Sequence, residues 1–120
     1  MRYYITNNPL VAEKIESGNK VKIVFLESAT YREILVYARD MIHKGHKLLT
    51  HPLTSSIKPN ETPYKSVIVG EIGEISLMDL DILEQAIGVY DKFYANKKTP
   101  VYIQSVNEDF MLIDYDIIKN

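Results

Sequence analysis

Apolar and polar residues follow two patterns along this chain. The first pattern consists of short, mostly apolar runs, which predict strands. Residues 3–5 form a short β-rich run. Residues 21–26 (VKIVFL) are almost all apolar or β-branched, as in a strand that is buried on both faces. Residues 48–50 and 66–69 are two further short runs of the same kind. The pattern therefore predicts four strands.

Between these runs, apolar residues recur at the 3.6-residue period of a helix. Asn8 and Pro9 suit the N-cap and the first turn of a short helix after the first strand. Thr30 and Glu33 form the capping-box pattern of a second helix, for which Gly45 is the stop signal. Two helices are therefore predicted in the first half of the chain.

The pattern of the second half of the chain predicts one long helix. For the tail it is compatible with either a helix or a strand. Apolar positions predict a helix from about residue 77 to residue 95, with Ser76 as its N-cap. Residues 107–118 fit a helix at one spacing and a strand at another. A helix-start signal at residues 107–109 favours the helix.

This order of elements predicts a single α/β domain over residues 1–120. The expected fold is a small sandwich, with a mostly parallel four-stranded sheet flanked by helices. The direction of the fourth strand stays open, because residues 52–65 carry three prolines and no helical pattern. Ligands of open α/β sheets bind beyond the carboxyl ends of the strands. Asn7 and Asn8, which follow the first strand, are therefore predicted ligand contacts.

Composition changes this picture mainly by exclusion. The chain is 46% hydrophobic and 25% charged, as is typical of soluble globular proteins, and its lack of cysteine excludes a disulfide or a thiol nucleophile. No apolar run approaches the roughly 20 residues that span a bilayer, and no signal-peptide pattern precedes the first strand. We therefore expect a cytoplasmic protein without membrane contact. A formal net charge of -2 gives no drive toward nucleic acid.

Positive charge is concentrated in one unusual segment. Residues 43–70 carry a net charge of +3, whereas residues 71–120 carry -6. Residues 46–65 are polar, contain three prolines and are long for a connection, which is typical of functional loops. We expect this loop to bind a small anionic metabolite or phosphate through its donor-rich side chains: His46, His51, Ser55, Ser56, Lys58, Asn60, Glu61, Thr62, Tyr64 and Lys65.

Two other kinds of chemistry compete with anion binding. His43, His46 and His51 are rival metal ligands, but they are spread over a predicted helix, turn and strand. We therefore expect neither a metal nor another cofactor. His51 with Ser55 or Ser56 would make a small hydrolase or phosphoryl-transfer enzyme, although no nucleophile elbow accompanies the pair. Whether the chain is catalytic stays open at this point.

Three stretches of the chain carry a resemblance to a known family. They are residues 45–66 (GHKLLTHPLTSSIKPNETPYKS), residues 5–11 (ITNNPLV) and the pattern of Asp109, Phe110, Ile113 and Asp114. These stretches resemble the GrdX family, and the similarity spans essentially the whole chain. One departure is that Thr54 and Ser55 stand where a small residue, often Gly, is expected.

The resemblance implies a pathway rather than a reaction. It implies an accessory protein encoded beside the glycine, sarcosine and betaine reductase genes of anaerobic amino-acid-fermenting bacteria, and it supplies no catalytic residues. Without cysteine, the chain cannot form a thiol intermediate itself. We expect a non-catalytic accessory protein that binds a small anion at residues 46–65. The alternative is a docking module for a reductase component; the residue pattern indicates no particular oligomeric state.

Overall fold

Four strands and four helices are formed by residues 1–52, 61–96 and 98–119, which the computed structural model describes. In chain order they are β1 (Arg2–Thr6), α1 (Pro9–Lys14), β2 (Val21–Phe25), α2 (Tyr31–His43), β3 (His46–Leu48), β4 (Ser66–Ile72), α3 (Leu77–Asn96) and α4 (Gln104–Ile118). The tail is thus a helix, as the start signal at residues 107–109 favours, but α4 begins three residues before that signal. Strand β3 begins two residues earlier than predicted, directly after Gly45.

The strands of the described residues form one mixed sheet in the order β2-β1-β4-β3. Strands β1 and β2 are parallel, whereas β4 runs antiparallel to both of its neighbours. The α/β class and the four flanked strands are confirmed, but the prediction of a mostly parallel sheet is wrong. A parallel crossover usually contains a helix. The three prolines of residues 52–65 disfavour one, so the chain returns beside β3 in the opposite direction.

The two edge strands differ in how they are protected. The prediction that β2 is buried on both faces is wrong, because Lys22 is exposed and Phe25 is 38% exposed. The reason is the position of β2 at the edge of the described sheet, which no strand pattern reveals. At the opposite edge, Asp79 of α3 accepts a hydrogen bond of 3.0 Å from the amide of Leu48. That carboxylate occupies a donor to which another strand would otherwise bind.

Helices cover both faces of the sheet and make three layers. Successive strand residues point to opposite faces, so Ile5 contacts the core beneath α2 and α3, whereas Tyr4 contacts the core beneath α1 and α4. In β4, Val67 and Val69 belong to the first core and Ile68 to the second. The middle residues of the central strands, 3–5 in β1 and 67–69 in β4, are accordingly apolar or aromatic, because helices cover them on both faces.

Helix starts follow the predicted caps. The side chain of Asn8 accepts a hydrogen bond of 3.0 Å from the amide of Leu10 at the start of α1. Thr30 and Glu33 form a capping box at the start of α2. Ser76 accepts a hydrogen bond of 3.2 Å from the amide of Asp79 at the start of α3. These three caps confirm the predicted starts.

Gly45 is expected to tolerate no side chain. Its φ is +105°, and a Cβ there would collide with the carbonyl oxygen of Gly73. Because both effects destabilise the fold, Gly45→Ala should lower the free energy of unfolding by about 2 kcal/mol. Gly88 is the matched control, since it lies in α3 with open space around it. Gly88→Ala should raise stability by about 0.5–1 kcal/mol in urea unfolding, and equal effects at the two glycines would contradict the prediction.

Candidate functional site

Buried polar side chains gather at one edge of the sheet. Strands β1, β2 and β3 end at this edge, and the reversed strand β4 begins there. Six polar or charged residues are buried in the part of the chain that the structure describes, and five of them lie here. We call this region the carboxyl edge and define it by Thr6, Asn7, Asn8, Lys65 and Ser66. None of the five is more than 5% exposed.

A row of hydrogen bonds ties β1, β4 and α4 together at the carboxyl edge. The Asn8 amide donates to Thr6 Oγ1 (2.9 Å), the Thr6 and Ser66 hydroxyls lie 2.7 Å apart, and the Ser66 hydroxyl donates to Asp114 Oδ2 (2.6 Å). Since the single hydroxyl hydrogen of Ser66 goes to Asp114, Thr6 is the donor to Ser66. The Ser66 amide also donates to Asp114, over 3.1 Å. The Asp114 carboxylate therefore anchors α4 to the sheet.

Asn7 holds together the segments that meet at this edge. Its Nδ2 donates to the carbonyl oxygens of Ala29 (2.8 Å) and Pro63 (3.0 Å), and its Oδ1 accepts from the Lys65 amide (2.9 Å). Both hydrogens of the Asn7 amide are therefore used within the chain. A ligand that contacts Asn7 would have to replace one of these bonds, and its role as a ligand contact stays a prediction.

Asn8 is used in the same way. Besides capping α1, its Nδ2 donates to the carbonyl oxygen of Met111 (2.9 Å) and to Asp114 Oδ2 (3.0 Å). Its side chain therefore links the start of α1 to the middle of α4. Ligand contact by Asn8 also stays a prediction, since its side-chain donors already have acceptors within the chain.

Lys65 brings a charge into this buried network. The side chain is only 4% exposed, and its Nζ lies 5.6 Å from the centre of the Tyr31 ring. Burial lowers the pKa of Lys65 from 10.5 to about 8, and the negative charge of Asp114 opposes that change. An ammonium group loses hydration when it is buried, so its charged form is destabilised there. Amines with such a pKa are typical of binding and catalytic sites.

The other predicted contacts of the loop are only partly described. Thr62 and Tyr64 are half-buried in the stretch that leads to Lys65, and burial raises the pKa of Tyr64. The carbonyl oxygen of Glu61 accepts a hydrogen bond of 2.8 Å from the Tyr102 hydroxyl, and His51 is exposed. Four predicted contacts lie outside the described residues: Ser55, Ser56, Lys58 and Asn60.

His46 lies far from the carboxyl edge. It pairs with Ile72 at the far end of β4, which is about 20 Å from Ser66 at the rise of a strand. Its Nδ1 lies 2.6 Å from the carbonyl oxygen of Gly70, and its ring packs edge-on against Tyr3. The structure therefore does not bring His46 together with the other predicted ligand contacts.

Asp114 is the site residue that sequence reasoning did not select. It occurred in the family pattern, but no chemical role was predicted for it. A signal was present, because Asp114 shares one face of α4 with Met111 and Ile118. A carboxylate on a helix face that is otherwise apolar indicates a buried polar partner, which here is Ser66.

Two further classes of site, a metal centre and a membrane-spanning helix, are not formed by the described residues. In residues 1–52, 61–96 and 98–119, no group of three or more His, Asp or Glu side chains is arranged to hold a metal ion. Within those same ranges, no helix combines the length and the apolar character that crossing a membrane requires. The expected absence of a metal stays a prediction.

Fold and site together define a class: an α/β sandwich whose mixed sheet buries a lysine at its carboxyl edge. A family model described as GrdX-like protein matches residues 3–120, nearly the whole chain. The chain therefore belongs to the GrdX-like family, and the resemblance in its sequence is confirmed. Membership of this family indicates an accessory role for glycine reductase. A search of curated proteins and a search of solved structures each returned no match.

Proposed function

We propose that this GrdX-like chain is a non-catalytic accessory protein of the glycine reductase system that binds a small anion where residues 46–65 meet the carboxyl edge. The observation that carries the proposal is the buried ammonium group of Lys65. Its charged form is destabilised by burial, with a pKa of about 8. A carboxylate or phosphate beside Lys65 would offset that destabilisation, because an opposite charge favours the ammonium form.

The surroundings of Lys65 favour binding over catalysis. Asp114 is held by Ser66 and Asn8 and serves as the anchor of α4. The hydrolase alternative rests on His51 with Ser55 or Ser56, and both serines lie outside the described residues. The proposal expects His51 and Lys58 to supply further positive charge to the anion.

The proposal predicts that removing the charge of Lys65 weakens anion binding. Titration calorimetry at pH 7 would use phosphate as the anion, and the zwitterions glycine, sarcosine and betaine as ligands that carry a carboxylate. Lys65→Met should weaken the binding of the anion by roughly 10- to 100-fold, because a charge-assisted hydrogen bond contributes about 1.5–3 kcal/mol. Lys47→Met is the matched control, since Lys47 is an exposed lysine of β3. The affinity of this variant for the anion should stay within about twofold of the wild-type affinity.

Proton uptake distinguishes Lys65 from the other cations. At pH 8 about half of the free protein carries a neutral Lys65, so binding should take up about half a proton per anion. The measured heat should then depend on the ionisation enthalpy of the buffer, and the affinity should fall about tenfold per pH unit above pH 8. Unchanged affinity in Lys65→Met would remove Lys65 from the site. No heat with any of the four ligands would refute the proposal.

A further inference from the structure

Helix α4 carries a second apolar stripe beside the one that it buries. Its buried face packs against α1 and β4 through Met111, Asp114, Tyr115 and Ile118. The second stripe, which we call the outer stripe, consists of Ile103, Val106, Phe110, Ile113 and Ile117. Three of its members are open to solvent, since Ile103 is 71%, Ile113 is 52% and Ile117 is 39% exposed. Val106 and Phe110 are half-buried, and the Phe110 ring packs against the Tyr102 ring, 5.0 Å between centroids.

The spacing of the outer stripe is that of a helix-packing seam. Its members alternate three and four residues apart from Ile103 to Ile117, which is the repeat of helices that pack along their length. The stripe spans two such repeats, or about 21 Å at the rise of an α-helix. Single exposed apolar residues are ordinary on protein surfaces. A continuous row at this spacing indicates a surface for another helix.

The start of α4 gives an independent reason. Ile103 occupies the N-cap position, with φ -66° and ψ 159°, where Ser, Thr, Asp or Asn would accept a hydrogen bond from the first turn. Isoleucine has no acceptor in its side chain. The helices that begin after Asn8, Thr30 and Ser76 all have such a cap. At α4 the chain has an exposed apolar residue instead, which extends the outer stripe and gives up a stabilising contact.

Charge determines which helix fits. Helix α4 contains four acidic residues and no Lys or Arg. Asp109 and Asp116 directly precede Phe110 and Ile117, so they lie along one flank of the outer stripe. Both are exposed, and Asp116 also pairs with Lys119 over 3.1 Å, so Asp109 carries the uncompensated charge of the two. Two copies of α4 packed on each other would bring these carboxylates together, and like charges beside a helical seam disfavour pairing. A second copy of this chain is therefore the wrong occupant.

We propose that the outer stripe is the docking site for an amphipathic helix of another protein, whose own apolar stripe is flanked by Lys and Arg. The apolar rows would bury each other, and the basic flanks would face Asp109 and Asp116. This proposal does not depend on the anion site, because the hydrogen bonds of the carboxyl edge are made by Asn8, Ser66 and Asp114, none of which belongs to the outer stripe. It assigns a kind of partner and a surface to the chain.

Two synthetic peptides test the proposal against the full chain. Both would be helical, about 15 residues long to match α4, with the same apolar stripe; one would carry Lys and Arg flanks and the other Glu flanks. Fluorescence anisotropy should show the basic peptide binding at least about tenfold more tightly than its acidic twin. Raising the salt from about 0.05 M to about 0.3 M should weaken the basic peptide's binding, since salt screens exposed charges.

Substitutions locate the binding surface. Ile113→Gln should weaken the basic peptide about tenfold, and Asp109→Asn about threefold. Leu77→Gln and Asp81→Asn are the matched controls on α3, where Leu77 is 78% exposed, and they should change nothing. Ile103→Ser is expected to change the melting temperature and the peptide affinity in opposite directions. It should raise the melting temperature, because serine caps the helix, and weaken the peptide, because the stripe is shorter. Lost binding in that variant could not come from unfolding.

Three results would overturn the proposal. The first is equal affinity for the two peptides, or no binding of either one. The second is binding that survives Ile113→Gln. The third is a concentration-dependent dimer in sedimentation velocity that Ile113→Gln dissociates, since it would assign the outer stripe to a second copy. A monomer that binds only the basic peptide, through Ile113 and Asp109, would support the proposal.

Discussion

Asp114→Ala is expected to lower the free energy of unfolding by about 3 kcal/mol. The carboxylate accepts hydrogen bonds from the Ser66 amide, the Ser66 hydroxyl and Asn8 Nδ2. A hydrogen bond to a charged group contributes about 1.5–3 kcal/mol, and a buried donor that loses its acceptor is destabilising. The three contributions overlap, because they share one anchor between α4 and β4. Urea unfolding followed by circular dichroism would measure the loss.

Asp116→Ala is the matched control for that loss. Asp116 lies on the same helix, but it is exposed and pairs with Lys119 over 3.1 Å at the surface. Exposed ion pairs contribute about 0–1 kcal/mol, so this variant should unfold within about 0.5 kcal/mol of wild type. The loss of stability in Ser66→Ala should lie between the losses in Asp114→Ala and Asp116→Ala, because Ser66→Ala keeps the hydrogen bond from the backbone amide of this residue to Asp114. Equal losses from Asp114→Ala and Asp116→Ala would contradict the role of Asp114 as an anchor.

Helix starts could be predicted from the sequence because their chemistry is local. The Asn8, Thr30 and Ser76 side chains each bond to an amide two or three residues ahead. Such a contact depends on a few neighbouring residues and leaves a pattern in the sequence. The role of Gly45 could be predicted for the same reason, since its positive φ belongs to the end of α2.

The pairing of strands could not be predicted because it is set by distant residues. Strand β2 is as apolar in sequence as β4, yet β2 lies at the edge and β4 lies between β1 and β3. Only the order of strands distinguishes them, and periodicity within one strand does not encode that order. The direction of β4 depends on the connection before it. The prolines of that connection disfavour a parallel crossover through a helix, whereas the absence of a helical pattern does not by itself exclude a parallel strand.

The site could be predicted in part for the same reasons. The carboxyl-edge rule located Asn7 and Asn8, and the basic loop located Lys65. The burial of Lys65 was not predictable, because lysine side chains are almost always exposed. It results from contacts across the fold: Asn7 holds the Lys65 amide, and Tyr31 and Asp114 lie near its ammonium group. None of these partners is close to Lys65 in sequence.

Lys65→Met is expected to stabilise the protein at pH 7 by about 3 kcal/mol. Methionine fills a similar volume without a charge, so the destabilisation of a buried ammonium group is removed. Each unit of pKa difference corresponds to about 1.4 kcal/mol. The difference between 10.5 and about 8 for Lys65 therefore corresponds to about 3 kcal/mol. The attraction of the Asp114 carboxylate is already part of this difference, because it opposes the lowering of the pKa of Lys65.

The pH dependence of that gain identifies its cause. Below pH 8 the amine is protonated in both the folded and the unfolded chain, so the destabilisation is fully present. Between pH 8 and about 10.5 the unfolded state binds more protons than the folded state, so the stability of the wild type rises with pH. Methionine does not titrate, so the advantage of Lys65→Met should shrink toward zero near pH 10.5. Other titrating groups cancel in the difference between the two proteins.

Urea unfolding at pH 7, 8, 9 and 10 would measure this trend, with Lys47→Met as the exposed control. A Lys65→Met variant that is less stable than wild type at pH 7, or a gap that does not change with pH, would show that the ammonium group is not destabilising. Calorimetry on the same variant relates the change in stability to anion binding. If one substitution raises stability and removes anion affinity, the chain retains a destabilising charge for the ligand that it binds.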